Sequence, residues 1–141
     1  IREWLSSRGL GDVYKRQEVF TEAKEEFKDQ IRYWGYCENF DDYLKILWEA
    51  DIIPVTSNHD FFGASTLEAI YCGCMPILPK RLSYPELIEG PCFYNNFEEL
   101  IELLEKEIRE RNKTDFYAKQ VERFDWKKLI QNYDKEFNDT I

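Results

Sequence analysis

The sequence predicts an α/β domain in which helices cover both faces of a parallel sheet, followed by C-terminal helices. Three observations point there: apolar runs of strand length, amphipathic runs of helical period between them, and connections of a few residues joining the two.

The first helix is expected over Glu18 to Lys28, where Val19, Phe20, Ala23 and Phe27 fall on one face. Ile31 to Gly35 (IRYWG) reads as a strand that stops at glycine. Asp41 can cap the next helix, whose Tyr43, Leu44, Ile46, Leu47 and Trp48 face inward. Asp51 to Thr56 (DIIPVT) is a short buried strand, with Pro54 near its edge or end because proline cannot donate to a ladder. Gly63 opens a loop, and Ser65 or Thr66 begins a helix through Ala69, Ile70 and Tyr71 that Gly73 stops.

Met75 to Pro79 is the third strand. Ser83 to Ile88 forms one helical turn with Pro85 near its start, and Cys92 to Tyr94 is the fourth strand. Asn96 caps a long helix carrying Phe97, Leu100, Ile101, Leu104 and Ile108, its acidic stretch from Glu98 to Glu110 facing solvent. Helical stretches near Thr114–Phe124 and Trp126–Asn138 complete the chain. Trp34, Trp48 and Trp126 are expected to pack. Right-handed crossovers between parallel strands make this a Rossmann-like layer. Such sheets hold ligands outside the carboxyl ends of their strands, and Thr56 to Gly63 occupies that position.

At 141 residues, 43% hydrophobic and 16% aromatic, the chain can bury one core and is not a disordered sequence. Cys37, Cys72, Cys74 and Cys92 lack a Cys-x-x-Cys spacing and accompany one histidine, His59. That set suits neither a zinc site nor a disulfide scaffold, so buried free thiols, a cytoplasmic setting and no metal are expected. No run of about 18 apolar residues suggests a membrane span.

Ser7 to Gln17 (SRGLGDVYKRQ) is similar to the in-frame translation of a transposon sequencing adapter. Residues 1–17 are therefore set aside as adapter-derived or disordered, leaving 18–141 as the domain. Setting them aside removes Arg2, Arg8, Lys15 and Arg16 against Glu3 and Asp12, taking the net charge from −9 to −11. So acidic a surface repels phosphate backbones and is poorly suited to gripping nucleic acid.

Chemistry concentrates between Asn58 and Glu68 (NHDFFGASTLE). Gly63 permits close backbone approach, and the first amides of the helix after it are unpaired donors at the positive end of a helix dipole. Glu68, about one turn inside, can accept from two vicinal ribose hydroxyls. Asp60, on the loop, can accept from hydroxyls of a second sugar, with a turn or capping carboxylate as the plainer role. One loop thus offers acceptors for two sugars and donors for what joins them, which suits a sugar nucleotide. Lys80 and Arg81 are the basic pair nearest the sheet's carboxyl edge, with a solvated loop as their plainer reading.

The acidic–x7–acidic spacing of Asp60 and Glu68, with Phe62 and Gly63 inside it, resembles the Glu-x7-Glu signature of retaining B-type glycosyltransferases. Further segments in register narrow the resemblance: IRYWGY from Ile31, Ala50-Asp51, HDFFG from His59, LEA from Leu67, YCGCMP from Tyr71 and YPE from Tyr84. Together they are similar to the C-terminal, donor-binding domain of the tRNA-queuosine mannosyltransferase family. The likeness is strong from Ile31 to Tyr94 and loose in the terminal helices.

The resemblance implies that residues 18–141 are part of a C-terminal nucleotide-sugar-binding domain, with GDP-mannose as donor and neither metal nor separate cofactor. Glu68 would bind the nucleotide ribose and Asp60 the transferred sugar, as the catalytic carboxylates. His59, Phe61, Phe62, Gly63 and Ala64 would line the donor beside Glu68, the amides around Phe61, Phe62 and Gly63 holding sugar or phosphate oxygens. The family carries glutamate where this chain has the shorter Asp60. It also implies an N-terminal acceptor domain that holds most of the tRNA, basic residues before Glu18 that stabilise the departing diphosphate, and inactivity of this portion alone. Two other readings stand beside it: the donor-binding domain of another B-type glycosyltransferase acting on lipid, polysaccharide or protein, and a nucleotide-binding module without catalysis.

Overall fold

The computed structural model describes residues 10–60, 62–110 and 115–139, in two compact units, one up to Cys37 and one from Glu38 onward. Phe61 and the start of the helical stretch expected near Thr114 lie outside the described residues.

In the first unit, helix α1 spans Leu10–Glu26 and so runs across Gln17 and Glu18. Its apolar residues gain little cover: Val19, Phe20 and Phe27 are exposed, although Phe20 meets Trp34 edge-on at 6.4 Å and Lys24 lies over the same indole at 6.0 Å. The strand expected from Ile31 to Gly35 is not formed. The Ile31 amide is spent on the turn that closes the helix, donating to the Phe27 carbonyl at 3.0 Å. The Tyr33 hydroxyl folds back onto the Tyr36 carbonyl at 2.7 Å, and Gly35 takes φ +102°. An alternating apolar run becomes a strand only where a partner edge accepts its backbone groups.

The second unit is mixed α/β, with a three-stranded parallel sheet in the order β1-β2-β3. Helix α2 (Phe40–Glu49) leads to β1 (Ile52–Pro54), helix α3 (Ala64–Tyr71) to β2 (Met75–Pro79), and the single turn α4 (Tyr84–Leu87) to β3 (Phe93–Tyr94). Helices α5 (Phe97–Glu110), α6 (Phe116–Val121) and α7 (Trp126–Asp139) follow, a 3-10 turn at Glu122–Phe124 separating the last two. The sheet therefore has three strands where four were expected. Pro54 ends edge strand β1, as a residue without an N–H should.

Side-chain alternation along β2 divides the core. Ile77 packs with Tyr94, Leu100, Ile52, Leu103 and Leu104, joining the sheet to α5. Leu78, pointing the other way, packs with Val55, Leu67, Ile70, Tyr84 and Ile88 from α3, α4 and their neighbours. A third cluster of Leu47, Ala69 and Cys74 ties α2 to α3. Each fully buried Leu or Ile contributes about 1.5–3 kcal/mol by leaving water. The Cys74 thiol donates to the Leu47 and Ala50 carbonyls, both at 3.4 Å, and so helps close the end of α2. Cys74 and Cys92 are buried as expected, whereas Cys37 and Cys72 are only half-buried, and burial pushes the Cys74 and Cys92 thiols up to about 11, away from thiolate chemistry at neutral pH.

Local signals explain most helix ends. Gly73, at φ +98°, stops α3: its amide reaches the Ile70 carbonyl and the Cys74 amide reaches that of Ala69, both at 3.0 Å, a left-handed cap of the Schellman type. Asn39, not Asp41, caps α2 by accepting from the Asp42 amide at 3.1 Å. Asp41 lies inside the first turn, where its charge still favours the helix dipole. Helix α3 begins at Ala64, before Ser65, because Gly63 itself takes the cap position.

Other expectations give way to helix register. On α2 the inward positions are Tyr43, Leu47 and Ala50, which leaves Trp48 65% exposed. On α5 they are Leu100, Leu103, Leu104 and Glu107, so Phe97, Ile101 and Ile108 face outward and Glu107 is buried rather than solvated. Trp34 and Trp126 are exposed as well.

The α5 cap carries a stability prediction. Asn96 Oδ1 accepts from the Glu99 amide at 2.9 Å, while the Asn95 amide donates to Glu99 Oε2 at 2.8 Å. Asn96→Ala should lower the unfolding free energy by about 1 kcal/mol in a urea titration, with the cooperativity of unfolding unchanged.

Candidate functional site

The site lies at the carboxyl ends of β1 and β2, where the chain leaves β1 through Val55 and returns at Gly63 to begin α3. Its departure point is fixed from two sides. The Val55 amide continues the ladder by donating to Ile77 at 2.9 Å, and the Val55 carbonyl accepts from the Tyr94 hydroxyl at 2.6 Å. Beyond it, Arg81 Nη2 donates to the Ser57 carbonyl at 3.3 Å and to Asn58 Oδ1 at 3.0 Å.

Asp60 organises the return. Its Oδ1 accepts from the Gly63 amide at 2.7 Å, and its Oδ2 accepts from the Tyr84 hydroxyl at 2.7 Å. Gly63 is buried in the left-handed region, at φ +74°, and a β-carbon there would stand 2.8 Å from Tyr84 Cε1. The position therefore demands glycine twice, for its backbone and for the ring laid against it. The Gly63 carbonyl accepts the first helical bond, from Leu67 at 2.9 Å. This leaves the amides of Ala64, Ser65 and Thr66 without intrahelical acceptors, as at any helix start.

Glu68 is exposed one turn further on, and its Oε2 accepts from the Tyr43 hydroxyl at 2.8 Å. Each of the two carboxylates thus meets its own tyrosine, Tyr43 from α2 and Tyr84 from α4. Burial, reinforced by the neighbouring carboxylate, pushes each phenol up to about 12. His59 and Ala64 are exposed. Phe62 is exposed too, but meets Phe124 edge-on at 5.7 Å. Phe61 lies outside the described residues.

Residue spacing had not singled out Tyr43, or Tyr84 as the partner of Asp60. The available signal was a tyrosine on an otherwise aliphatic face, since a phenol hydroxyl that packs inward must find a partner. Arg123 was also missed. It donates to the Leu87 carbonyl at 2.9 Å and the Glu86 carbonyl at 3.3 Å, so that α4 and with it Tyr84 are held from behind. Among the described residues, no group of three or more His, Cys, Asp or Glu side chains could hold a metal ion, and no helix is long and apolar enough to cross a membrane.

The chain is similar to a tRNA-queuosine alpha-mannosyltransferase of Drosophila melanogaster, with 33% identity over 138 residues. The match takes in 93% of this chain but 36% of the relative, so the chain spans little more than a third of that protein's length. No family model matches the chain, and no solved structure matches it.

The site geometry predicts two responses. Gly63→Ala should destabilise the unit by roughly 1–3 kcal/mol, read as a lower midpoint in thermal unfolding, because the methyl meets both backbone strain and the Tyr84 ring. Tyr43 and Tyr84 are kept protonated in the fold while the unfolded chain ionises near 10, so their contribution is whole below about pH 10 and lost as pH rises toward 12. Denaturant melts between those values should show stability falling with pH, and Tyr43→Phe with Tyr84→Phe should flatten that slope.

Proposed function

We propose that this chain is the nucleotide-sugar-binding portion of a retaining glycosyltransferase of the tRNA-queuosine mannosyltransferase family, with GDP-mannose as donor. The carrying observation is the start of α3: Gly63 in the left-handed region, three amides beyond it without helical acceptors, and Glu68 exposed one turn inside. Similarity to a curated mannosyltransferase supports the choice of sugar, and the parallel sheet with helices against both faces suits a Rossmann-like donor domain.

In this reading the amides of Ala64, Ser65 and Thr66 receive phosphate or sugar oxygens. Glu68 uses Oε1, which has no partner among the described residues, to accept from the nucleotide ribose. His59, Phe62 and Gly63 line the donor. The acceptor, queuosine in tRNA, is held mainly by parts of the parent protein beyond this chain, in the cytoplasm. Transfer with retention depends on positioning the donor and stabilising the departing diphosphate, and no metal is needed where amides and cations share that charge.

Asp60 favours a second reading of its own role. Both its oxygens are already engaged, by Gly63 and Tyr84, which makes it a carboxylate that shapes the loop rather than one that grips the sugar.

Calorimetric titration of the chain with GDP-mannose, GDP and UDP-glucose tests the proposal. GDP-mannose and GDP should bind, UDP-glucose more weakly, and Glu68→Ala should reduce donor affinity about tenfold, as expected for lost hydrogen bonds to a charged acceptor. Absence of binding by any donor, or an indifferent Glu68→Ala, would sink it.

A further inference from the structure

We infer that Arg81 binds the diphosphate of the donor, a role that rests on the donor-binding reading above and places a cation beside the loop. A nucleoside diphosphate brings at least two negative charges to a chain of net charge −9. The helix start provides only partial charges, and the described residues hold no cluster suited to a metal. Some full positive charge is needed close to the loop.

Arg81 is placed for this. It follows β2, the central strand, and its Nη2 lies 3.0 Å from Asn58 Oδ1, two residues before Asp60. Arg81 has no carboxylate partner among the described residues, whereas Arg109 is paired with Glu105 at 3.0 Å. Contacts to a carbonyl and an amide oxygen orient the guanidinium without cancelling its charge. They occupy Nη2 alone, leaving the Nη1 and Nε hydrogens as single donors for phosphate oxygens.

The backbone around Arg81 is unusual in two further respects. Leu82 takes φ +60°, in the left-handed region that a bulky non-glycine residue rarely enters, directly after a tight bond from the Arg81 amide to the Pro79 carbonyl at 2.7 Å. Ser83 Oγ is buried without a hydrogen-bond partner. Strained backbone and orphaned polar atoms gather where a protein meets a ligand. Here both adjoin the unpaired cation.

Calorimetry of the whole chain with GDP and with guanosine tests the assignment. Arg81→Ala and Arg81→Gln should each weaken GDP about tenfold or more and leave guanosine unchanged, and the difference from wild type should shrink as salt is raised. Arg81→Gln keeps a polar, uncharged side chain at this position, so it reports on charge even if the alanine variant folds poorly. Asn58→Ala, which removes one of the contacts that orient the guanidinium but spares its charge, should weaken GDP by less than Arg81→Gln does. Equal losses for GDP and guanosine, or no loss for either, would overturn the inference while leaving donor binding intact. So would variants that bind GDP normally but lose affinity for a tRNA anticodon stem-loop, since the phosphate would then be the acceptor's. A wild-type chain that binds no GDP removes the donor reading, and this inference with it.

Discussion

The pair of 2.7 Å bonds that Asp60 makes, one to the Gly63 amide and one to the Tyr84 hydroxyl, is the constraint on which the site depends. The first bond folds the loop into the left-handed turn from which α3 starts. The second fastens that turn to α4 through a tyrosine with no solvent exposure. Because Tyr84 lies against the face of Gly63 that a side chain would fill, the turn and the ring specify each other. The C-terminal elements act on the site through α4. Arg123 caps its carbonyls, and Gln120 forms a reciprocal pair with the Glu89 backbone at 2.7 and 2.9 Å. This short helix therefore carries support from the later chain to the loop, beside the direct contact of Phe124 with Phe62.

This constraint also accounts for aspartate at position 60. A carboxylate that accepts from the amide three residues ahead closes a compact turn, and the short Asp side chain suits that reach. Glutamate would place its oxygens one methylene further out, past the amide and into the space above the loop. The shorter residue thus trades reach toward a ligand for control of the backbone. The start of α3, with Ala64 and Ser65 in its first turn, owes its position to it.

What was legible in the sequence is what is encoded locally. Gly73 ends α3, Asn96 caps α5, Pro85 sits in the turn of α4 and Pro54 ends β1, because each residue acts on backbone within a few positions of itself. Where the outcome depended on distant partners, the sequence pattern misled. Ile31 to Gly35 reads as a strand, yet its first amide donates to the Phe27 carbonyl in the turn after α1. On α5, both Ile101 and Leu103 fit an apolar stripe, and only the position of the sheet selects Leu103. The site divides in the same way. Spacing marked Asp60 and Glu68, but their tyrosines stand 24 and 25 residues away, and no periodicity links residues so separated.

The two tyrosines show why an acidic–x7–acidic spacing is by itself an incomplete description of chemistry. Tyr84 and Gly63 engage both oxygens of a half-buried Asp60, whereas Tyr43 engages one oxygen of an exposed Glu68. The same residue class at the two ends of one motif therefore has different free valence. At one end the carboxylate is part of the scaffold; at the other it is steadied in a chosen orientation with an acceptor left over. On the proposed donor-binding reading, recognition by this loop passes through Glu68 and the amides at the start of α3, with Asp60 bonded to the Gly63 amide that precedes them.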